Sequence, residues 1–169
     1  NLEKNGTVPA LAVGFIRIEL DVETGKYEIL DYVAATDCGT VLHPMGLETQ
    51  TKSGGYMGFG LAALEHYSYD PQNGLPANIS LYQCKPPSYL DGPPEMKTTS
   101  VNIADPQNPI GSKGIGEPVQ GCGAAALLCA ISDALDGHYF NRTPVTPDLI
   151  LNVASGKPQS YKHMDINTV

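Results

Sequence analysis

Four glycines inside one helical pattern constrain this chain more than any other feature. Between Met45 and His66, Leu47, Thr51, Gly54, Gly55, Gly58, Leu61, Ala62 and Glu65 recur at spacings of three and four, the period of one helix face. Gly54, Gly55, Gly58 and Gly60 lie within that stretch, and each costs about 1 kcal/mol against alanine in a helix interior. Such a helix persists only if another element packs closely along its bare side. The sequence supplies a partner in Gly121 to Leu135, which reads GCGAAALLCAISDAL, small, apolar and rich in helix formers. Pro118 suits the first turn of that second helix and Gly137 its C-terminal stop. A close pair of helices is therefore expected at the centre of the fold.

The rest of the chain reads as support for that pair. Leu11 to Leu20 alternates apolar and polar residues, residues 21–26 (DVETGK) are turn-forming, and Tyr27 to Ala35 forms a second strand, giving an antiparallel hairpin. The expected class is α+β, a single domain over residues 1–169. Two further strands are expected in the proline-rich stretch from Tyr67 to Pro109, at Asn78 to Gln83 and Lys97 to Ala104. Thr146 and Pro147 mark the start of a short helix over Asp148 to Val153, and residues 154–169 read as an extended polar tail.

Charge and composition exclude several functions. Ten Lys and Arg stand against 18 Asp and Glu, a net charge of −8, and no basic run offers phosphates a clustered cation surface. No apolar run reaches the ~18–20 residues of a membrane span. The polar start, Asn1 to Pro9, lacks a signal-peptide pattern and reads as a joint to another segment; with it goes the expectation of a cytoplasmic location. Cys38, Cys84, Cys122 and Cys129 show no metal-ligand spacing, so no direct metal ligand is expected and buried free thiols are the simpler reading. The proline-rich connection suits a chain that lies against a neighbour, as one piece of a larger assembly.

The chemistry concentrates in GSKGIGEP, residues 111–118. Gly114 and Gly116 allow a ligand close to the backbone, and Glu117 delivers a carboxylate to the start of the alanine-rich helix. A carboxylate so placed can serve as a general base, or simply cap its helix. The stretch fits neither the phosphate-loop pattern nor the dinucleotide fingerprint, because no Ser or Thr follows Lys113 and no βαβ unit surrounds it. Upstream, residues 36–44 form a polar loop in which Asp37 is suited to cap a turn and His43 to be a hydrogen-bonded surface group. Gln50, in the first turns of the glycine-rich helix, carries an amide suited to a phosphate or heterocycle, or to solvent.

Two of these segments together resemble the xanthine oxidase family of molybdenum hydroxylases. Residues 111–118 resemble its G-x-K-G-x-G-E motif. Residues 37–44 (DCGTVLHP), followed by Glu48-Thr49-Gln50, resemble its D-x-G-x-x-x-x-P…E-G-Q segment, and residues 87–91 (PSYLD) the stretch leading toward the glycine loop. Thr49 stands where the family usually has glycine, and Met57 where a second glutamine is common. The resemblance spans about residues 11 to 153. It implies a C-terminal part of the molybdopterin-binding subunit, with Glu117 as the base in water-derived hydroxylation of an aldehyde or N-heterocycle. Gln50, Gly114 and Gly116 would border the molybdopterin. It further implies that the other molybdopterin-binding segments, iron–sulfur clusters and a flavin (FAD) domain are supplied by partner segments or subunits. The rival expectations are a non-catalytic assembly piece that keeps the fold without the cofactor, and a binding module that uses the glycine loop alone.

Overall fold

The computed structural model describes residues 9–161; the expected joint at residues 1–8 and the end of the expected tail, 162–169, lie outside them. Strands β1 (Ala12–Leu20) and β2 (Tyr27–Thr36) form the expected antiparallel hairpin, with a register shift at Arg17/Ile18. A third strand, β3 (Met96–Ser100), pairs with β2 in parallel, so the sheet order is β1-β2-β3. The parallel pair is possible because helix α1 (Pro44–Ala63) and the long connection behind it carry the chain back between β2 and β3. Helix α3 (Pro118–Ala134) lies beside α1 and also packs on β1. Helix α4 (Pro147–Ala154) closes the core from the far end.

Bare backbone holds the two central helices together. A Cβ added at Gly58 would stand 2.5 Å from both Ala124 N and Gln120 O, and one at Gly123 would stand 3.0 Å from Gly55 Cα and O. Around that contact Tyr32, Phe59, Val119, Leu127, Ile131, Val145 and Ile150 are fully buried, and Tyr32 meets Phe59 edge to face at 5.2 Å between ring centroids. α1 ends earlier than the pattern suggests, because the amides of Leu64 and Glu65 both turn back onto Gly60 O.

Two expectations fail. Residues 78–83 are no strand: a single helical turn, α2 (Leu81–Cys84), forms there, because the Gln83 side chain takes the Ile79 amide at 2.9 Å and Lys85 adopts a left-handed conformation (φ 60°) that stops propagation. The second expected strand ends at Ser100, and Asn102 Oδ1 instead accepts the Val41 amide at 3.1 Å. In the described part of the expected tail, Gln159 Nε2 donates to Leu149 O at 3.0 Å, and Tyr161 lies under the Arg142 guanidinium. Among the cysteines, all free, only Cys38 is buried. Cys129 is exposed, in a cleft that α3 shares with Val13 and Phe15 of β1.

Candidate active site

The two motif segments meet. The loop that leaves β2 and the loop that enters α3 are joined by a short antiparallel bridge between Gly39 and Ser112. Lys113 N donates to Cys38 O at 2.7 Å, and Thr40 N to Gly111 O at 2.8 Å. Gly39 has φ +66°, and a side chain there would run into Gly111 O, so glycine is required by both conformation and contact. The side chains add an ion pair. Asp37 Oδ1 accepts the Gly39 amide at 3.1 Å, the expected turn cap, while Oδ2 lies 2.7 Å from Lys113 Nζ. Lys113 and Asp37 are only 14% and 22% exposed in their side chains, so the pair is largely shielded from water. The Lys113 hydrogen bond, with the Gly39 amide, holds the Asp37 carboxyl below its ordinary value of 3.8.

Helix α1 starts next to this junction. His43 is its N-cap, and its Nδ1 accepts the Gly46 amide at 2.7 Å. Two turns on, Gln50 Nε2 donates to Gly116 O at 3.1 Å, which ties α1 to the residue before Glu117. Gln50, Lys113 and Ile115 line a cleft of about 260 Å³ with Cys38, Thr40 and Leu47.

Glu117 occupies the N-cap position of α3 with an αR backbone (φ −85°, ψ −28°), and its side chain forms no capping bond. Its main-chain oxygen accepts the Gln120 amide at 3.0 Å. The carboxylate is exposed and is not used to cap the helix. Gly114 and Gly116 are exposed as well. Neither has a positive φ, and a Cβ at either would meet nothing within 4 Å. Among the described residues nothing demands glycine at these two positions, in contrast to Gly39 and Gly58. A bare strip of backbone leading to a free carboxylate fits a bulky group brought up from outside.

The structure therefore brings Gln50, Gly116 and Glu117 together, with Gly114 one step away. Sequence reasoning missed the Lys113–Asp37 pair. The signal for it was present in two opposite charges within the two motif segments, but the pairing needed the segments to be adjacent.

The molybdopterin cofactor-binding domain model matches residues 3–93, more than half of the chain. The chain belongs to this molybdopterin cofactor-binding family. It is 33% identical over 145 residues to subunit gamma of the 6-hydroxypseudooxynicotine dehydrogenase complex of Paenarthrobacter nicotinovorans, an alignment covering 85% of this chain and 18% of that one. It is 32% identical over 139 residues to the xanthine dehydrogenase molybdenum-binding subunit of Escherichia coli O157:H7, covering 82% and 18%. Among solved structures, quinoline 2-oxidoreductase from Pseudomonas putida 86 superposes with a TM-score of 0.76 at 30% identity, over 83% of this chain and 18% of the other. Cu,Mo-CO dehydrogenase gives 0.72 at 27%, over 82% and 18%. The chain thus spans about a fifth of the length of the relatives it matches. The α+β arrangement is that of part of the molybdenum-binding subunit in these oxidoreductases. Among the described residues no helix is long and apolar enough to cross a membrane.

Proposed function

We propose that this chain supplies the general-base face of a molybdenum hydroxylase acting on an aldehyde or N-heterocycle, with Glu117 as the base. The observation that carries the reading is the pairing of an exposed, uncapped carboxylate with a glycine strip that has no internal reason to be glycine. The residues fit the cofactor. Gly114 and Gly116 leave room along the backbone, and Gln50, already bonded through Nε2, keeps its amide oxygen for a further donor. When bound, the molybdenum cofactor would supply the two-electron redox chemistry and the activated oxygen that the polypeptide lacks. Glu117 would accept a proton at its carboxylate as the new C–O bond forms, and the Gln50 bond to Gly116 O would hold the neighbouring peptide still. A site that excludes water once the remaining segments close over it would strengthen that proton transfer.

The remaining partners are part of the proposal: the other molybdopterin-binding segments, iron–sulfur clusters and a flavin domain to carry electrons away. The outer sheet face favours such cover. Leu11, Val13, Phe15 and Val33 are all exposed, and Phe15 and Val33 are directly opposite each other across β1 and β2.

The test is Glu117→Gln in the assembled enzyme, with xanthine, quinoline, nicotine and an aromatic aldehyde as substrates and an artificial dye as electron acceptor. Unchanged molybdenum content with turnover reduced by about 10²-fold or more supports the reading. Near-normal turnover refutes the base assignment. Assembled protein that carries no molybdenum even with native Glu117 identifies the chain as an assembly piece without cofactor.

A further inference from the structure

We propose that the Lys113–Asp37 ion pair is the positioning device for Glu117, fixing the glycine strip so that the carboxylate is presented in one place. The inference rests on the reading of Glu117 as base but concerns residues that reading does not use. Between Lys113 and Glu117 the polypeptide makes a single hydrogen bond among the described residues, from Gln50 Nε2 to Gly116 O. The strip is otherwise untethered, and two of its three residues are glycines in open space. Lys113 is the last residue before the base that is held through both its main chain and its side chain. Its main-chain amide bonds to Cys38 O, and its ammonium reaches Asp37 Oδ2 at 2.7 Å and Pro9 O at 3.5 Å.

Asp37 is itself fixed from the other side. Its amide donates to Leu11 O at 2.9 Å at the mouth of the β1–β2 hairpin, and its Oδ1 holds Gly39. The pair therefore couples the sheet, the most regular part of the fold, to a strip with little stiffness of its own. Two partly shielded charges contribute little to stability on their own. Directional coupling explains them better. Carboxylate placement matters steeply, because an error of about 1 Å in a reacting group can cost about 10²-fold in rate. Lys113 and Asp37 act through the loop and touch no reacting atom, so they are positioning residues.

The experiment uses the assembled enzyme carrying Lys113→Met, Asp37→Asn or Lys113→Arg, with the substrate it turns over best from the panel above. Turnover is expressed per molybdenum, and amide hydrogen exchange is followed by mass spectrometry. Lys113→Met is expected to speed exchange of the hydrogen-bonded junction amides of Thr40 and Lys113 about 10-fold or more while the α3 interior, residues 123–131, is unchanged. kcat should fall about 10- to 100-fold with KM within about 2-fold, because the substrate pocket itself is untouched. Asp37→Asn keeps the shape and the Gly39 contact, so it reports the lost charge even if Lys113→Met assembles poorly. Lys113→Arg should restore most of kcat. Unchanged exchange of the Thr40 and Lys113 amides, or a lower melting temperature with kcat per molybdenum near wild type, overturns the proposal. The two readings separate cleanly. An inactive Glu117→Gln beside a fully active Lys113→Met sinks the positioning role alone, whereas an active Glu117→Gln sinks the base and the positioning role with it.

Discussion

Replacing Gly58 by alanine sets helix propensity against packing, and the structure decides the winner. Propensity favours alanine by about 1 kcal/mol in a helix interior. Against it, the new Cβ would stand 2.5 Å from Ala124 N and from Gln120 O. Carbon contacts are comfortable at about 3.5 Å or more, so α1 and α3 would have to separate by about 1 Å. The obstructing atoms are α3 backbone, which no rotamer change can move aside, so the upper end of the overpacking range, about 3 kcal/mol, applies. The net loss is about 2 kcal/mol, a fall of about 4–8 °C in melting temperature for a chain of this size. Gly121→Ala is the internal control. That residue is exposed in the partner helix α3, and a Cβ there meets nothing within 4 Å. It should gain about 1 kcal/mol. Urea unfolding followed by circular dichroism measures both. If Gly58→Ala is as stable as Gly121→Ala, the backbone-to-backbone contact of α1 and α3 is wrong, and with it the reason for glycine in α1.

Other consequences follow from single contacts. Ile131, with no solvent exposure, should cost about 2–5 kcal/mol when cut to alanine, read from the same urea transition. Burial pushes the Tyr27 hydroxyl up to about 12, with a smaller push from Asp91. Its folded value lies above the ordinary 10.0, so its contribution is intact below pH 10 and is lost as pH rises through about 12; ultraviolet tyrosinate absorbance should show Tyr27 titrating late, together with Tyr32 and Tyr56, which burial also pushes up. Asp37 has the opposite sign. Its carboxyl is held below 3.8, so the junction it makes with Lys113 is intact above that pH and loosens as pH falls further, which amide exchange of residues 111–113 under acid should report. His43→Ala removes the side-chain acceptor at the α1 N-terminus and should cost about 0.5–2 kcal/mol.

Much of this protein is determined locally and can be read from the chain. The hairpin follows from period-two alternation around a turn-forming hexapeptide, and the structure reproduces it as β1 and β2. Helix α3 begins with Pro118 at its first position, and α4 begins with Pro147, because proline's fixed φ is a local property that needs no partner. The cost of four glycines in one helix already required a closely packed neighbour. The motif pair in residues 37–50 and 111–118 carried the family. What the sequence left open depends on contacts between residues far apart in the chain. The parallel placement of β3 beside β2 is decided by the path of α1 and the long connection. The turn at residues 81–84 is decided by a side chain capturing a backbone amide before a strand partner could. Exposure of Cys129 was likewise undecidable, because α3 is apolar on nearly every side and its periodicity does not say which face meets α1. Above all, Asp37 and Lys113 are 76 residues apart, and only the closure of the two loops onto each other makes them an ion pair. Local propensity fixes elements. The energy of bringing distant segments together, through shared backbone bonds and one shielded pair of charges, fixes where the carboxylate of Glu117 stands.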